Sequence, residues 1–470
     1  MDGDAAAWAT EAAAAAWGQG QGRWPQMSLK ARAAALGDYL TELEKTSRDA
    51  IVEILQWEIA KSTKDAAKEF DRTVAFAREV IDAALACDET DPFGAWTNVA
   101  GVRGRVRRGP VGVTLMLAPF NYPLNEMYAM MMPALLMGNP VILKLPAIGA
   151  LAHVLTIDAL RKTLPPGVVN FVSGSGRQTL PTVMSGGLVD CLGFIGGSKG
   201  ADALIKQHPQ PHRLKVFSQL EGKNLGIVFP DADLDAAAKQ IVLGSLSYNG
   251  QRCTAIKLVV AHASIAKTLA AKLAEAIEAL PRGQPWDENV SITPLPEPSK
   301  PAYLAELVAD ATAKGASVVN DRGGDTEGQL YHPALLYPVT AEMRVFHEEQ
   351  FGPVVPVAEY EDLASVIDVL KKSWNGQQAA IFTRDAAAAA PLVDALSTIV
   401  GRVNVNMQCA RGPDVFPFSG RRSSAMGTMS ITEALKAFSV ETLVAVPDDA
   451  AGAAFGDALS GAAKFLLPTK

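Results

Sequence analysis

The 470-residue chain contains only four cysteines, Cys87, Cys191, Cys253 and Cys409. None stands in CxxC spacing, which argues against a zinc cluster or a disulfide framework and fits a reducing compartment. We therefore expect no bound metal.

Excess positive charge and long apolar runs are also lacking. The net charge is -7 and the isoelectric point is about 5.5, so there is no broad basic field for a nucleic acid. The most apolar stretch, residues 115–145, is interrupted by proline, asparagine and glutamate, which argues against a membrane span. The start, MDGDAAAW, lacks the basic region of a secretory signal, so we predict a cytoplasmic protein.

Apolar residues recur at helical spacing from residue 29 to about residue 86, which predicts two or three amphipathic helices after a marginal helix in residues 1–22. Short apolar strands then alternate with helix-like segments; they are PVILKLP, GVVNFVSGS, VDCLGFIGGS and NLGIVFP. A second series begins with AIKLVVAH and continues through GASVVN, VVPVAEY and QAAIFT. This rhythm predicts an α/β protein with two parallel sheets.

Cys253, in YNGQRCTAIK, differs from the other cysteines. A free cysteine is most often an inert core residue, and Cys87, Cys191 and Cys409 are interpreted in that way. Cys253 follows Arg252 in a polar turn, and both features favour an accessible thiolate. It is the candidate nucleophile.

Four further motifs suggest chemistry. APFNYPLNE holds Asn121 between two prolines after an apolar strand, where its amide can donate to an oxyanion. FIGGSKG runs from a strand through Gly196 and Gly197 into a helix, where backbone amides can approach a phosphate. PALLMGNPVILKLP ends a strand at Lys144, and EEQFGPVVPV places an acidic pair before Phe-Gly-Pro. Each motif alone is common in proteins without such a role.

Together and in this order, the motifs resemble those of the aldehyde dehydrogenase superfamily from Trp24 to about Val446. The resemblance implies that Cys253 attacks the aldehyde and that Asn121 stabilises the oxyanion. It assigns cofactor contacts to Lys144, Gly174, Gly196, Gly197, Glu349 and Phe351.

The most similar branch is the non-phosphorylating glyceraldehyde-3-phosphate dehydrogenases, which use NADP. That likeness assigns Arg72, Tyr122, Arg252 and Arg411 to the substrate phosphate, which suits the planar guanidinium group. Three residues after Lys144, Ala147 stands where NAD-preferring relatives often carry a glutamate. We therefore expect NADP, with NAD as the alternative.

One departure affects the hydrolysis of the thioester. The family's base lies in a Leu-Glu-Leu-Gly-Gly-Lys motif, whereas this chain reads FSQLEGKN and has Gln219 at the base position. Either Glu221 supplies the missing carboxylate, or the acyl group passes to coenzyme A. A catalytically impaired member acting as a binding protein is the third alternative.

The resemblance also implies a domain plan. Residues 1–101 and 118–222 would form a Rossmann-like cofactor domain, and 223–425 an α/β catalytic domain. Strands at 102–117 and 439–446 would form a β-hairpin flap that joins subunits into a homodimer or homotetramer. The Ala- and Gly-rich residues 447–470 are expected to form a weakly ordered tail.

Overall fold

A computed structural model describes residues 1–90 and 95–467 of the chain. It begins with three helices, α1 (Gly3–Trp17), α2 (Leu29–Ile59) and α3 (Thr63–Thr90). Asp2 and Ser28 accept backbone N–H groups at the starts of α1 and α2. The helix expected to be marginal is thus a capped helix of 15 residues.

A three-stranded sheet contains β1 (Thr97–Val99), β2 (Val102–Pro110) and β20 (Ser439–Pro447). β2 and β20 pair antiparallel along their whole length, with β2 in the centre. The predicted flap segment 102–117 belongs to two sheets. Val102–Pro110 forms β2 of this sheet, whereas Thr114–Leu117 joins the six-stranded sheet described next. Gly112 lies between the two strands with φ 141°, and a Cβ there would lie 2.1 Å from an Asp190 carboxylate oxygen, so glycine is required.

A six-stranded sheet forms the second layer of strands. Its strands are β3 (Thr114–Leu117), β4 (Val141–Lys144), β5 (Val169–Val172), β6 (Cys191–Ile195), β7 (Lys215–Gln219) and β19 (Ala425–Met426). The order is β19-β7-β6-β3-β4-β5, and only β19 is antiparallel to its neighbour. The helices between them are α4 (Pro123–Leu136), α5 (Leu151–Val154), α6 (Ile157–Thr163), α7 (Gly176–Ser185) and α8 (Ser198–Gln207). Lys144, Leu117 and Phe194 lie side by side, so the carboxyl ends of the strands share one edge.

A seven-stranded sheet follows. Its strands are β8 (Asn224–Val228), β9 (Ile256–His262), β10 (Ser317–Val318), β13 (Ala334–Tyr337), β14 (Val354–Tyr360), β16 (Gln378–Phe382) and β17 (Arg402–Val405). The order is β10-β13-β14-β9-β8-β16-β17, parallel except for the β10–β13 pair. The associated helices are α9 (Leu234–Leu246), α10 (Ala263–Glu278), α11 (Lys300–Ala313), α12 (Arg344–His347), α13 (Leu363–Lys372) and α14 (Ala386–Ser397). Two small two-stranded sheets join β11 (Thr326–Glu327) with β12 (Leu330–Tyr331) and β15 (Asn375–Gly376) with β18 (Arg421–Arg422).

The C-terminal segment differs from the expected weakly ordered tail. After α15 (Ile431–Ala437) and β20, the chain forms α16 (Ala450–Ala462). Asp449 caps α16 by accepting from the Gly452 amide at 2.7 Å. A Cβ on Gly456 would lie 3.1 Å from the Trp96 ring. The small residues therefore permit close packing of the helix where composition had suggested disorder.

In the part of the chain that the structure describes, no helix combines the length and apolar character needed to cross a membrane.

Candidate active site

A cavity of about 2270 Å³ brings together most of the predicted site residues. Those that line it are Arg72, Asn121, Tyr122, Gly196, Gly197, Glu221, Arg252, Cys253, Glu349, Phe351 and Arg411. Lys144 and Gly174 are not part of this lining. The loops after β3, β6 and β7 all reach the cavity, as expected for the carboxyl edge of a parallel sheet.

The partly buried Cys253 lies in the turn between α9 and β9. Gly250 begins this turn with φ 70°, and a Cβ there would lie 2.6 Å from the Ser245 carbonyl oxygen, so glycine is required. The Cys253 carbonyl accepts from Asn224 Nδ2 at 2.8 Å and from Lys257 Nζ at 3.0 Å. Two buried side chains thus fix the backbone beneath the thiol.

Burial raises the pKa of the Cys253 thiol to about 11, Glu126 adds to the rise, and Lys257 opposes it. The adjacent Arg252 was expected to favour the thiolate. Its guanidinium instead donates to the Gly244 carbonyl at 2.8 Å near the end of α9, where helix carbonyls attract cations. The thiol is therefore protonated at neutral pH in this state and would have to lose its proton to act as a nucleophile.

The other described cysteines fit the inert interpretation. Cys191 and Cys409 are buried, and burial raises the pKa of each thiol to about 12. The side chain of Cys87 lies outside the described residues.

Asn121 is buried beside the turn that carries Cys253. Its Nδ2 donates to the Gln251 carbonyl at 2.7 Å, two residues before Cys253. An amide NH₂ group has two hydrogens, so one remains for an oxygen in the cavity. The arrangement holds an amide donor against the turn that carries Cys253, and an oxyanion site requires such a fixed donor.

Lys257 links the turn that carries Cys253 to Glu349. Its buried ammonium group donates to the Gly222 carbonyl at 2.8 Å and forms an ion pair with the Glu349 carboxylate. The same carboxylate accepts from the Gly222 amide at 3.2 Å. The sequence analysis missed Lys257, although a lysine within the apolar strand AIKLVVAH was a visible signal.

Gln219 and Glu221 lie on the cavity wall near the end of β7. Gln219 is buried, and its Nε2 donates to the Gly427 carbonyl at 3.4 Å. The Glu221 carboxylate accepts from the Ser198 backbone N–H at 2.7 Å and from the Ser198 hydroxyl at 2.5 Å. In this state Glu221 therefore caps α8, and its role as a base stays a prediction.

Three residues that were predicted to contact the cofactor, Lys144, Gly196 and Gly197, lie along the carboxyl edge of the six-stranded sheet. Lys144 Nζ donates to the Leu145 carbonyl at 2.6 Å, and burial lowers its pKa. Gly196 and Gly197 precede α8, and a Cβ on Gly197 would meet open space. The lysine and the open glycine turn fit a dinucleotide.

Gly174 has a different structural reason to be glycine. Its φ is 94°, and a Cβ there would lie 2.9 Å from the backbone of Met1. Close approach of the start of the chain thus requires glycine here. A cofactor contact of Gly174 stays a prediction.

Two of the predicted phosphate-binding arginines converge on an acid that the sequence analysis had not singled out. Arg72 donates to the Asp414 carboxylate at 2.9 Å, and Arg411 Nε lies 3.1 Å from the same group. Arg411 also donates to the Glu126 carboxylate at 3.0 Å. In ARGPDVFPF, Asp414 follows Arg411 by three residues, and this spacing was the signal in the sequence that the two side chains could pair. The arginines are oriented by these carboxylates, which also offset part of their charge.

The ring of Tyr122 packs against a buried ion pair. Lys61 Nζ lies 3.4 Å from the centroid of the Tyr122 ring and pairs with Glu69, and both charged side chains are fully buried. Glu69 also accepts from the Leu124 amide at 3.1 Å, at the start of α4. Sequence analysis missed this pair, because a lysine and a glutamate in a polar segment usually mark a solvated face.

Comparisons with known proteins identify the family of the chain. A sequence model of the aldehyde dehydrogenase family matches residues 2–444. The NADP-dependent glyceraldehyde-3-phosphate dehydrogenase of Streptococcus equinus is 34% identical over 420 residues, covering 89% of this chain and 86% of that protein. The enzyme of the same name from Zea mays is 35% identical over 424 residues, covering 88% and 82%.

A solved structure gives the same result. The NADP-dependent glyceraldehyde-3-phosphate dehydrogenase from Bacillus halodurans C-125, complexed with NADP, superimposes with a TM-score of 0.84 at 32% identity. The match covers 93% of this chain and 90% of that one. The predicted fold is confirmed, and the chain belongs to the aldehyde dehydrogenase family.

Proposed function

We propose that this enzyme oxidises glyceraldehyde 3-phosphate, or a similar small phosphorylated aldehyde, to the acid with NADP. The observation that carries the proposal is the cavity itself, which places Cys253 and Asn121 in the same space as Arg72 and Arg411. The thiol and the amide suit an aldehyde group, and the guanidinium groups suit an anion. The names of the relatives from Streptococcus equinus and Zea mays support the same substrate.

The chain's own residues account for the first half of the reaction. The Cys253 thiol gives its proton to solvent water, and its sulfur then bonds to the aldehyde carbon. The free hydrogen of the Asn121 amide stabilises the carbonyl oxygen that becomes negative. Lys257 holds the Cys253 carbonyl and keeps the turn in place. The bound dinucleotide would accept the hydride, which leaves a thioester on Cys253.

The preference for NADP over NAD is proposed from the same sheet edge. Lys144 lies at the end of β4 and Ala147 follows it in an exposed position. Because residue 147 is alanine, there is no carboxylate at this position to repel a 2′-phosphate. The Lys144 ammonium group can pair with that phosphate. The Bacillus halodurans structure contains NADP. Gly196, Gly197, Glu349 and Phe351 are proposed to contact the rest of the cofactor.

The substrate phosphate is proposed to bind Arg72, Arg411, Arg252 and Tyr122. Asp414 already holds the guanidinium groups of Arg72 and Arg411 in place, so substrate binding does not have to bear the entropic cost of ordering them. Arg252 would have to leave the Gly244 carbonyl to take part.

Hydrolysis is proposed to depend on Glu221, because the amide of Gln219 cannot take a proton from water. Glu221 lines the cavity that Cys253 also lines, but its carboxylate must first leave Ser198. If it does not, the acyl group needs another acceptor, and coenzyme A is the alternative that Gln219 favours.

The test is NADP reduction with glyceraldehyde 3-phosphate, measured with and without coenzyme A and inorganic phosphate. We expect sustained NADPH formation with neither acceptor present, and a much lower rate with unphosphorylated glyceraldehyde. Strict dependence on coenzyme A would replace hydrolysis by acyl transfer. Absence of NADPH under every condition would favour the impaired, binding-protein alternative.

We also propose that copies of the chain associate as a homodimer or homotetramer in the cytoplasm. β20 is an edge strand, and Val440 and Leu443 on it are exposed, which makes it suited to pairing with a second copy. The reduced state that Cys253 needs supports the cytoplasm as its compartment.

A further inference from the structure

The Glu221 carboxylate occupies a place with the properties of an anion site. Both of its oxygens bind Ser198, one through the backbone N–H and one through the side-chain hydroxyl. Ser198 is the first residue of α8, whose early amides have no acceptor within the helix. The positive end of the helix dipole adds to the attraction.

A dinucleotide would use the same place for its pyrophosphate. The strand β6 runs through Gly196 and Gly197 directly into α8, and phosphates bind at such strand-to-helix glycine turns. Both glycines and Glu221 line the cavity that contains Cys253. A carboxylate and a pyrophosphate cannot share the Ser198 donors, and their negative charges repel one another.

We infer that Glu221 is an internal anion that competes with the pyrophosphate of NADP for the start of α8 and so sets the affinity for the cofactor. The inference rests on the proposed function, because it concerns the dinucleotide that this function requires. Glu221 stands where the family motif has glycine, so the competition comes from this chain's own residue.

The carboxylate can leave Ser198 without a change in the fold. The backbone on both sides is fixed, since Leu220 N–H donates to the Ser424 carbonyl at 2.8 Å and the Ser424 hydroxyl donates to the Glu221 carbonyl at 2.8 Å. Gly222 N–H is bound to Glu349. Only side-chain rotation of Glu221 is required, and the freed carboxylate remains in the cavity with Cys253. Cofactor binding would thereby release the same group that is proposed to act as the base.

The test measures NADP binding without aldehyde by isothermal titration calorimetry. We expect Glu221→Ala to bind NADP about tenfold more tightly than the wild type, which corresponds to ~1.4 kcal/mol. Glu221→Gln loses the charge but keeps an acceptor for Ser198, so its affinity should lie between the two. Asp362→Asn is the control, because Asp362 accepts from the Ser365 amide at the start of α13 and does not line the cavity. It should bind NADP like the wild type.

A second probe, adenosine 2′-monophosphate, separates direct competition from a general change in charge. This ligand has no pyrophosphate, so its affinity should be the same in the wild type and in Glu221→Ala. Unchanged NADP affinity in Glu221→Ala, or an equal gain for both ligands, would overturn the inference while the proposed function stands. Failure of the wild type and every variant to bind NADP would overturn both.

Discussion

Glu221→Gln is expected to form one NADPH per active site in a rapid burst and then to continue only very slowly. Glutamine cannot accept a proton from the attacking water, so the thioester on Cys253 would persist. Loss of a general base lowers rates by about 10²–10⁴-fold, and we expect steady turnover to fall within this range. Stopped-flow absorbance of NADPH at several enzyme concentrations measures the burst and the steady rate separately.

Asp362→Asn serves again as the control and should keep wild-type turnover, since its capping contact with Ser365 lies away from the cavity. Because the glutamine variant should bind NADP at least as well as the wild type, weak cofactor binding cannot explain a lost steady rate. Full turnover in Glu221→Gln would remove Glu221 from the mechanism.

Lys61→Met is expected to lower the free energy of unfolding by about 3–5 kcal/mol, because it leaves the buried Glu69 carboxylate without its cation. Urea denaturation of the wild type and the variant measures this loss. Lys371→Met, which breaks an exposed pair with Asp368, should change stability by no more than about 1 kcal/mol.

The double variant Lys61→Met/Glu69→Gln should recover part of the lost stability. Its neutral glutamine can still accept from the Leu124 amide, so the start of α4 keeps its cap. Equal stability of Lys61→Met and the wild type would show that the pair is not a significant part of the support beneath Tyr122.

Much of the fold could be predicted from the sequence, because strand, glycine turn and helix alternate in short, readable units. The same periodicity places Asn121, Gly196 and Gly197 after parallel strands, and such positions share one edge of a sheet. The cavity that collects them with Cys253 follows from this rule and from the family resemblance.

What the sequence did not predict depends on where long side chains end and on what covers them. Arg252 is adjacent to Cys253 in the chain, yet its guanidinium reaches the end of α9. Glu221 was identified as a carboxylate near the thioester, but its contact with Ser198 joins segments 23 residues apart. The Lys61–Glu69 pair is buried only after α2, α3 and α4 have packed, and local polarity gives no sign of this. In α16, alanine and glycine permit close packing against Trp96, which composition alone cannot distinguish from disorder.

The central claim is that the sulfur of Cys253 becomes covalently joined to the substrate. The most direct measurement is intact-protein mass spectrometry of acid-quenched Glu221→Gln after mixing with NADP and glyceraldehyde 3-phosphate, followed by peptide mapping. We predict one 3-phosphoglyceroyl group per chain on the peptide containing Cys253, and none when Cys253 is also replaced by alanine. A single burst of NADPH that leaves the protein unmodified, or an acyl group on another residue, would contradict the account.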